Sequence, residues 1–546
     1  MKHIFANNIK FFLMLSIFLL TGINALAATR VVTKLADTND GVCNNDCSLR
    51  EAIAAAANGD KIYFQAALSG TITLNILNGS LLIGKNITIN GSDHVSVSGG
   101  GGDLPKLRVF VIKGGATVTM NNMEIKNGEG EILDPDIETH FGAGIYVNNS
   151  TLYLNDSYIH HNEAHNGGGI AVRNSGILKV KNTQIDSNTA RVGGGILCVQ
   201  STLEITDSLI TKNQSNGSAG GVGASSCNLT MTNTTVSQNT SKVDNTFMGY
   251  GGGLSLQGSD GLYKITNSSI IYNQGNTGGG IYNEGKLYLI NSTVSGNGVL
   301  SNGGGVYNKG KTIVRNSTIT LNYALNSGSG FGVEDGSNVY ISNSIIAGNK
   351  NPQNGSPDIK GTVYSFGYNI IGSTNGANIL GFSFGNKLNI NPLLAPLANN
   401  GGPTPTHIPN PGSPAINAGS NGLAVDANAQ PLTFDQRGYA RINGGTVDIG
   451  AVEIQNQVSS LVSVSGKVTD TLGQPVSNAR VKITNMATGK SKTVRLSVFS
   501  DFLFDEVEAG QTYLVEVLHK SFVFVPQAIT VNEGIDGLSF IGGNRN

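Results

Sequence analysis

The chain has 546 residues, of which 13% are charged and 74 are glycine, and its formal net charge is −1. An average soluble domain is about 25% charged. The near-zero net charge excludes a strong basic field of the kind that binds nucleic acid or an anionic membrane. The length favours a large repeat protein with one additional small domain.

Residues 1–27 are predicted to be a secretory signal peptide. Lys2 and Lys10 flank a polar start, an apolar run follows over residues 11–23, and Ala25–Ala27 has the small residues of a cleavage site. The run is too short for a membrane-spanning helix. We therefore expect a protein that is secreted or lies at the cell surface and does not span the membrane.

Residues 28–60 are predicted to form an N-terminal cap. In a secreted chain, Cys43 and Cys47 are expected to form a local disulfide. Ser48 and Glu51 have the spacing of a capping box, which predicts a short helix covering the open end of the first coil. The Asx-rich residues nearby have two interpretations, a solvated turn or a weak calcium site. The oxygen ligands in the calcium interpretation are Asp37, Asn39, Asp40 and Asp46.

Residues 61–360 are organised around one repeated motif: Asn or Asp, Ser or Thr, any residue, Ile or Val, any two residues, Asn. The closing asparagine recurs after 26, 25, 26, 34, 24, 25 and 27 residues, usually with a glycine cluster between copies. Strand-like alternation at this period predicts stacked coils, because one coil cannot bury its apolar side chains alone. A looser ninth copy spans Asn121–Asn127. The closing asparagines of the eight regular copies are Asn162, Asn188, Asn213, Asn239, Asn273, Asn297, Asn322 and Asn349.

Stacking would place each closing asparagine above the previous one, at the strand spacing of about 4.8 Å. We therefore expect a structural ladder in which each side-chain amide bonds to the next coil and to the backbone of its own turn. The general preference for right-handed crossovers between parallel strands gives the hand of the solenoid. The repeats thus predict a right-handed parallel β-helix.

One group of chemically active residues stands out from the repeats. His140, His165 and Arg191 occupy equivalent positions of three successive coils, and Glu138 and Glu163 are equivalent two residues earlier. Stacking would place these side chains about 5–10 Å apart. Such residues can perform acid–base chemistry, hold a metal, or neutralise a sugar carboxylate. The other interpretation is an ordinary solvated surface.

Cys198 and Cys227 are 29 residues apart, whereas the closing asparagines of their coils are 25 apart. The two cysteines are therefore expected to be offset along the coil and not directly stacked. A disulfide needs Cα atoms within about 7 Å. Two separate thiols are favoured over a second disulfide.

Several motifs resemble known bacterial families. DTNDGVC and CSLREAI, within residues 37–53, resemble the CSLREA segment of secreted β-helix proteins, and the repeats are similar to those of polymorphic outer-membrane proteins. YNIIG, DQRGYAR, DIGAVE and the proline-rich stretch 391–419 resemble the choice-of-anchor Q domain. The resemblance implies that residues 361–455 close the β-helix. We expect the proline-rich stretch to cross the end of the coil stack, because it cannot continue a strand ladder.

Residues 465–546 follow a linker at 456–464 and have the alternating pattern of a small β-sandwich. SGKVTDTLGQPVSNARVKIT and FLFDEVEAGQTYLVEV resemble the carboxypeptidase regulatory-like domain. That resemblance implies a prealbumin-like, carbohydrate-binding-like fold without catalytic residues of its own. The predicted fold class is therefore all-β: a right-handed parallel β-helix of the pectin-lyase-like type followed by a small prealbumin-like β-sandwich.

The sequence leads to two functional hypotheses. The favoured one is a monomeric secreted or cell-surface protein with a structural, adhesive or carbohydrate-binding role, requiring no cofactor unless calcium binds. Its expected partners are extracellular polysaccharide or cell-surface components, and not nucleic acid. The alternative is a polysaccharide lyase or glycoside hydrolase that uses the His/Glu/Arg group. An enzyme needs that group in a groove, whereas a binding protein needs an extended surface with exposed aromatic or polar rows.

Overall fold

The structure is a computed structural model that describes residues 27–100, 106–130, 140–242, 249–326, 328–350, 357–455, 461–531 and 533–544. Most of the predicted signal peptide therefore lies outside the described residues. No helix in the described part of the chain is long and apolar enough to cross a membrane. Up to residue 388, stacked coils form four faces of parallel strands, numbered here first to fourth in the order in which a coil passes through them after its glycine cluster.

The first and second faces join in one 24-stranded sheet, and the third and fourth faces have 13 and 7 strands among the described residues. The first face contains Leu81–Ile83, Phe110–Ile112, Ile145–Asn148, Ile170–Arg173, Ile196–Val199, Val222–Ser225, Leu254–Gln257, Ile281–Asn283, Val306–Asn308, Phe331–Val333 and Ile359–Ser365, the last of which continues into the second face. The second face contains Thr29–Val32, Lys61–Phe64, Ile87–Asn90, Thr117–Asn121, Thr151–Asn155, Ile177–Lys181, Thr202–Thr206, Asn228–Thr232, Leu262–Thr266, Lys286–Ile290, Lys311–Arg315, Asn338–Ser342 and Ala377–Gly381.

The third and fourth faces are built from shorter strands. The third face contains Gly70–Thr73, Val95–Ser98, Glu124–Lys126, Tyr158–His160, Gln184–Asp186, Leu209–Thr211, Thr235–Ser237, Ser269–Ile271, Thr293–Ser295, Thr318–Thr320, Ile345–Ile346, Ile370–Ile371 and Lys387–Leu388. The fourth face contains Glu163–Asn166, Thr189–Val192, Gln214–Ser218, Thr240–Ser241, Gln274–Gly275, Gly298–Val299 and Tyr323–Ala324. Short 3-10 turns occupy Ile76–Asn78 and Asn421–Leu423.

Each position of the repeated motif has its own structural role in the coil. The first residue makes the turn between the second and third faces in a left-handed conformation, with φ 53° at Asp156 and 47° at Asn182, which Asn and Asp tolerate best among residues with a side chain. The hydroxyl that follows receives a hydrogen bond from the previous coil, as Thr183 Oγ1 does from the Ser157 N–H at 3.2 Å. The central apolar residue, such as Ile159, is fully buried.

The closing asparagine links adjacent coils by paired hydrogen bonds. Asn188 Oδ1 accepts from the backbone N–H and from Nδ2 of Asn162, at 3.0 and 2.9 Å. Its own Nδ2 donates to Ile159 O at 3.0 Å and to Asn213 Oδ1 at 3.0 Å. Each amide therefore uses both its oxygen and its nitrogen inside the protein, where an unpaired polar group would be costly.

The ladder runs through all eight closing asparagines, which are 0–3% exposed. At its far end, Asn349 donates its N–H and Nδ2 to Asp358 Oδ1, at 2.8 and 2.7 Å. At its near end, Asn162 Oδ1 accepts from the Gly128 N–H at 2.8 Å. The ninth copy is one residue later than the sequence suggested, because Glu124 pairs with Tyr158 in register, and Gly128 takes the place of its closing asparagine.

The glycine clusters lie against the ladder, where there is no room for a side chain. Gly167 has φ 67°, which favours glycine. A Cβ on Gly168 would lie 2.3 Å from Thr189 O, and one on Gly169 would lie 3.1 Å from Asn188 Nδ2. The close stacking of coils on the buried amides therefore requires glycine here.

The N-terminal cap contains the one α-helix of the described residues, Leu49–Ala55. Ser48 Oγ accepts from the Glu51 N–H at 3.1 Å, and Glu51 Oε2 accepts from the Ser48 N–H at 2.7 Å, which is the reciprocal pair of a capping box. Cys43 and Cys47 form a disulfide immediately before the helix. The buried side of the helix packs on the interior of the first coils.

Cys198 and Cys227 form a second disulfide with a Cα–Cα distance of 6.0 Å, so the expectation of two separate thiols is wrong. Cys198 is in register with Ala224, and Cys227 lies beyond the turn that follows. That turn passes through Ser226 in a left-handed conformation, with φ 47°. It directs the chain back inward, so Cys227 reaches Cys198 in the core despite the offset in sequence.

Residues 391–455 run along the third face, so the expectation that the proline-rich stretch crosses the end of the stack is wrong. Thr404 Oγ1 donates to Asn267 O at 3.2 Å, and His407 Nε2 lies 2.9 Å from Ser295 Oγ. Small hydroxyl side chains on this part of the face let the segment lie close against the strands. The buried outward residues of these strands include Ser269, Thr293, Ser295, Thr318 and Thr320.

A buried polar cluster anchors this lateral segment. Arg437 is paired with Asp435 at 2.9 Å. Arg441 is fully buried and donates from Nη2 to Asp448 O at 2.9 Å and to Asn316 Oδ1 at 3.2 Å. The arginine therefore ties the segment to a turn of the β-helix through oxygen acceptors, in a structural role.

The C-terminal domain is a sandwich of two four-stranded sheets. Its core includes the buried aromatic side chains Phe502, Phe504 and Phe540. One sheet contains Asp501–Glu508, Leu461–Asp470, Ile535–Asn544 and Phe522–Val523. The other contains Ser491–Arg495, Arg480–Asn485, Gln511–Leu518 and Gln527–Val531.

The sandwich docks on the turns between the second and third faces through three cations. Lys520 Nζ donates to Asn122 O at 3.3 Å, Arg480 Nη1 lies 3.4 Å from Asp156 Oδ1, and Arg495 Nη2 donates to the backbone oxygen of residue 182 at 2.6 Å. These three turns belong to successive coils. The side chains of one domain therefore follow the coil spacing of the other.

Replacement of Asn239 by alanine should destabilise the β-helix by roughly 1–3 kcal/mol, because it leaves buried donors and acceptors of both neighbouring coils unpaired. Asn239 donates to Ile210 O and Asn273 Oδ1, both at 3.0 Å. Urea unfolding measures the change. Asn228→Ala, at an exposed asparagine of the same coil, is the control, and equal stabilities of the two variants would contradict a structural ladder.

Candidate functional site

The fourth face brings together three of the chemically active residues singled out in the sequence. The rings of His140 and His165 are 5.2 Å apart between centroids. Arg191 Nη1 lies 3.3 Å from His165 Nε2. The order His140, His165, Arg191 follows successive coils, as the alignment of the repeats predicts, and we call these three residues the imidazole column.

The hydrogen bond with Arg191 determines the state of His165 in this arrangement. A guanidinium N–H can only donate, so His165 Nε2 accepts and the neutral ring carries its proton on Nδ1. The amide nitrogen of Asn166 is placed 3.2 Å from that Nδ1, and a 180° turn of the amide, which exchanges its nitrogen and oxygen, lets Oδ1 accept the Nδ1 proton. His165 is thereby held in one orientation, whereas His140 beside it is exposed.

The glutamates are arranged differently from the sequence expectation. Glu138 lies outside the described residues. Glu163 is exposed and bridges to Glu129 in the preceding coil. The residue in register with Glu163 in the following coil is Thr189.

A second cluster lies on the outer side of the third face. Glu124 Oε1 is 3.0 Å from Lys126 Nζ and 3.2 Å from His160 Nε2. Tyr158 Oη donates to Asp186 Oδ2 at 2.9 Å. The sequence analysis did not single out Glu124, Lys126 or Tyr158. Aligning the two residues that flank the inward Ile of each motif copy would have found them.

Burial and charge pairing have opposite effects within this cluster. Burial raises the pKa of Glu124, but the hydrogen bond from His160 and the charge of Lys126 outweigh it and bring the pKa to about 2. Burial lowers the pKa of His161, and neighbouring His160 adds to that effect. Burial also lowers the pKa of Lys520, which the sandwich contributes, to about 8. The cluster therefore belongs to the contact between the two domains.

Three of the four candidate calcium ligands are paired with other groups of the protein. Asp37 accepts from Arg50 Nη2 at 2.8 Å, and Asp46 lies 3.0 Å from Lys34 Nζ. Asp40 Oδ1 accepts the backbone N–H two residues further on, at 2.9 Å, as in an Asx turn. Among the described residues, no group of three or more His, Cys, Asp and Glu side chains is arranged to hold a metal ion.

The outward side of the second face carries a row of side chains that the sequence analysis did not single out. Its central positions are in register from coil to coil. Aligning the central outward residue of each second-face strand would have revealed the row. It consists of Tyr153, Lys179, Glu204, Thr230, Lys264, Tyr288, Ile313, Tyr340 and Tyr364.

The row ends in an aromatic patch, which we define as Tyr340, Tyr364, Phe366 and Phe382. Tyr340 and Tyr364 stack with centroids 5.4 Å apart, and Tyr340 and Phe366 are 5.9 Å apart. Phe366 is 45% exposed and Phe382 56%. Lys311 Nζ lies 5.2 Å from the Tyr340 ring, within the range of a cation–π contact. Exposed contiguous apolar surface of this kind typically marks a binding site.

Comparison with known proteins agrees with this architecture. Residues 74–244 match the family model of the right handed beta helix region, and residues 463–536 match that of the carboxypeptidase regulatory-like domain. No curated protein matches the chain. The crystal structure of pectate lyase Pel9A is similar, with 16% identity, a TM-score of 0.44, and coverage of 79% of this chain and 96% of that chain.

The chain thus contains a right-handed parallel β-helix and a C-terminal carboxypeptidase regulatory-like β-sandwich. The predicted all-β fold class is confirmed by the parallel sheets and by the two family matches. The matches cover neither the cap nor residues 361–455, so the CSLREA and choice-of-anchor Q resemblances stay predictions.

Glu124 should stabilise the protein at neutral pH and lose this effect in acid. Its pKa is about 2 in the folded protein against 4.5 ordinarily, so its contribution is complete above about pH 4.5 and disappears as the pH falls through 2. Glu124→Gln should lower the free energy of unfolding near pH 6 by up to about 3 kcal/mol. Urea unfolding at a series of pH values measures the difference.

Glu204→Gln is the control for this prediction. Glu204 pairs with Lys179 at 2.9 Å, but both side chains are about 40% exposed, and such surface pairs contribute about 1 kcal/mol or less. The Glu124 variant should converge with the wild type near pH 2. Superimposable pH profiles for the two variants would contradict the assigned role of Glu124.

Proposed function

We propose that this protein binds an extended acidic polysaccharide along the second face of its β-helix. The observation that carries the proposal is the aromatic patch, continued along the face by tyrosines and lysines. A sugar ring has an apolar C–H side that packs on a flat aromatic ring, while its edge presents hydroxyls and, in an acidic sugar, a carboxylate. The second face offers aromatic rings for the apolar side of a sugar and lysines for its carboxylate.

The lysines support a preference for acidic chains. Lys286 and Lys311 are adjacent in register, and each has its Nζ 5.2 Å from a tyrosine ring, that of Tyr288 and that of Tyr340 respectively. An ammonium group held beside a ring can attract the carboxylate of a sugar that stacks on that ring. Neutral chains would have only the stacking.

The dimensions of the row also suit a chain ligand. From Tyr153 to Tyr364 the row takes eight steps from coil to coil. At about 4.8 Å per step this corresponds to about 38 Å. A flat surface of that length can contact several successive sugar units, and many weak contacts along one chain then add up.

We also propose that the protein acts outside the cell, as a secreted or surface-attached member of the CSLREA and choice-of-anchor Q group. Two disulfides among the described residues, Cys43–Cys47 and Cys198–Cys227, support an oxidising location. Recovery of the chain from the culture medium with both pairs oxidised tests this. Reduced cysteines in protein isolated under alkylating conditions would contradict it.

Polygalacturonate should bind the full chain, and Phe366→Ala combined with Phe382→Ala should weaken that binding at least 10-fold, or about 1.4 kcal/mol. Both rings are exposed, so their removal is expected to leave the fold intact. Isothermal titration calorimetry with polygalacturonate and with neutral galactan measures both affinity and preference.

Phe434→Ala is the matched control, because Phe434 is 57% exposed but belongs to the lateral segment. Lys286→Gln with Lys311→Gln should reduce the preference for the acidic polymer and its sensitivity to salt. An equal loss of affinity in the Phe434 variant, or tighter binding of galactan than of polygalacturonate, would count against the proposal.

The second candidate function is cleavage of the same kind of polymer, which the imidazole column favours. Arg191 can neutralise a sugar carboxylate, and the exposed ring of His140 can exchange a proton with the substrate. His165 lies between the two and is held in one orientation by Arg191 at 3.3 Å. The column lies on the fourth face, where the ring of His140 is exposed and can reach a bound chain.

If the column is catalytic, the protein should release new reducing or unsaturated ends from polygalacturonate, and His165→Ala should slow that release at least 100-fold. His94→Ala, at an exposed histidine outside the column, is the control. Binding of the polymer without product from the wild type would exclude the enzymatic function for this substrate and leave the binding function in place.

A further inference from the structure

A cavity of about 430 Å³ lies where three parts of the molecule meet. Its floor is formed by the β-helix turns at Asp207 and Asn233, its sides by residues 402–405 of the lateral segment and by residues 493–498 of the sandwich. The volume is within the usual range for small-molecule sites. None of the residues discussed above for polysaccharide binding or cleavage lines it.

The cavity lies at a gap in the covering of the turns between the second and third faces. On one side, Arg495 of the sandwich covers the turn at Asn182, donating to its backbone oxygen at 2.6 Å. On the other side, Thr404 covers the turn at Asn267. The two turns between them, at Asp207 and Asn233, bond to each other through Asn233 Nδ2 and Asp207 Oδ1 at 3.0 Å.

Arg495 is the lining residue whose hydrogen bonding is incomplete. Its Nε and Nη1 are buried and have no hydrogen-bond partner within the described part of the chain, which is costly for a charged group. Burial lowers the pKa of Arg495 to about 10, and the charge of Arg480 acts in the same direction. The guanidinium is therefore still charged at neutral pH, with two N–H groups in need of an acceptor.

We propose that this cavity binds a small carboxylate-bearing polyhydroxy compound, with its carboxylate on Arg495. The described lining carries one cation, Arg495, and one anion, Asp207, and a charge-assisted bond to a carboxylate satisfies the unpaired N–H groups of the arginine. The Asp207 carboxylate disfavours a dianion such as phosphate and can accept from a ligand hydroxyl. The amide of Asn233 and the hydroxyl of Thr235 offer further polar partners.

The ligand size follows from the cavity. A volume of about 430 Å³ accommodates one or two sugar units with their hydration, and not a polymer passing through. Apolar lining from Leu209, Val494 and Val498 gives the C–H side of a ring a surface to pack on. The site does not rest on the proposed function of the second face, since none of its lining residues belongs to the aromatic patch. A free acidic sugar and the terminal unit of an acidic chain both carry the carboxylate and hydroxyl groups that this site would bind.

The test is titration of the methyl-labelled full chain with galacturonate, digalacturonate, galactose and inorganic phosphate. The methyl groups of Leu209, Val494, Leu496 and Val498 line the cavity and report binding there by their NMR shifts. We expect galacturonate to shift these signals with an affinity at least 10-fold higher than galactose or phosphate. Saturation by the monomer would indicate a free sugar acid, and tighter binding of the dimer would indicate a chain end.

Arg495→Met should weaken galacturonate binding at least 10-fold, whereas Arg480→Met, which removes the same charge from the neighbouring docking contact, should leave it within about 3-fold. Thr235→Phe, which fills the cavity from the β-helix side and keeps Arg495, should also abolish the shifts. Phe366→Ala with Phe382→Ala should have no effect on this site.

The proposal is overturned if none of the four probes shifts the cavity methyls, if Arg495→Met binds galacturonate as the wild type does, or if phosphate binds more tightly than galacturonate. Failure of this site with retained binding of polygalacturonate on the second face would separate the two proposals. Methyl shifts on addition of galacturonate, without binding of polygalacturonate, would support the cavity site and contradict binding on the second face.

Discussion

The buried asparagine ladder is the interaction on which the rest of the structure depends. Beyond the first rung, each amide accepts two hydrogen bonds from one neighbouring coil and donates to the other, as Asn188 does between Asn162 and Asn213. A buried amide without these partners would be costly, so a coil that slipped in register would lose bonds on both sides. The ladder thereby fixes the register of all four faces, and it requires the glycines beside it because a Cβ would meet the amide.

A fixed register has consequences at the outer surface. The turns between the second and third faces repeat at the same point of every coil, in a left-handed conformation that exposes backbone oxygens and Asx side chains. Both the sandwich and the lateral segment dock on this line of turns, through Arg480 at Asp156 and Thr404 at Asn267. A regular row of acceptors can thus receive regularly spaced donors. The sandwich and the lateral segment cover turns that are not adjacent, and the two turns between them form the floor of the cavity.

The sequence reveals the local part of this architecture because its physical causes lie within one or two coils. The period, the closing asparagine, the capping box at Ser48 and Glu51 and the stacking of His140 on His165 all follow from alignment of repeats. The Cys198–Cys227 bridge depends on the turn between the first and second faces, which is left-handed at Ser226 as it is at Gln200 one coil earlier, but the residues at this turn share no motif. The path of residues 391–455 depends on contacts more than 100 positions apart, for which periodicity carries no information.

The positions that the fold requires also limit where a functional site can lie on such a protein. Inward positions and ladder positions are committed to the fold, so chemistry is left to outward residues and to the side chains at the turns. Glu124 and His160 are outward on the third face but lie at the contact with the sandwich, where their charges pair. The aromatic patch lies elsewhere, on the second face, where Phe366 and Phe382 are exposed. Exposed aromatic rings contribute little to folding. Their accumulation at one end of a single face is therefore better explained by selection for binding a ligand.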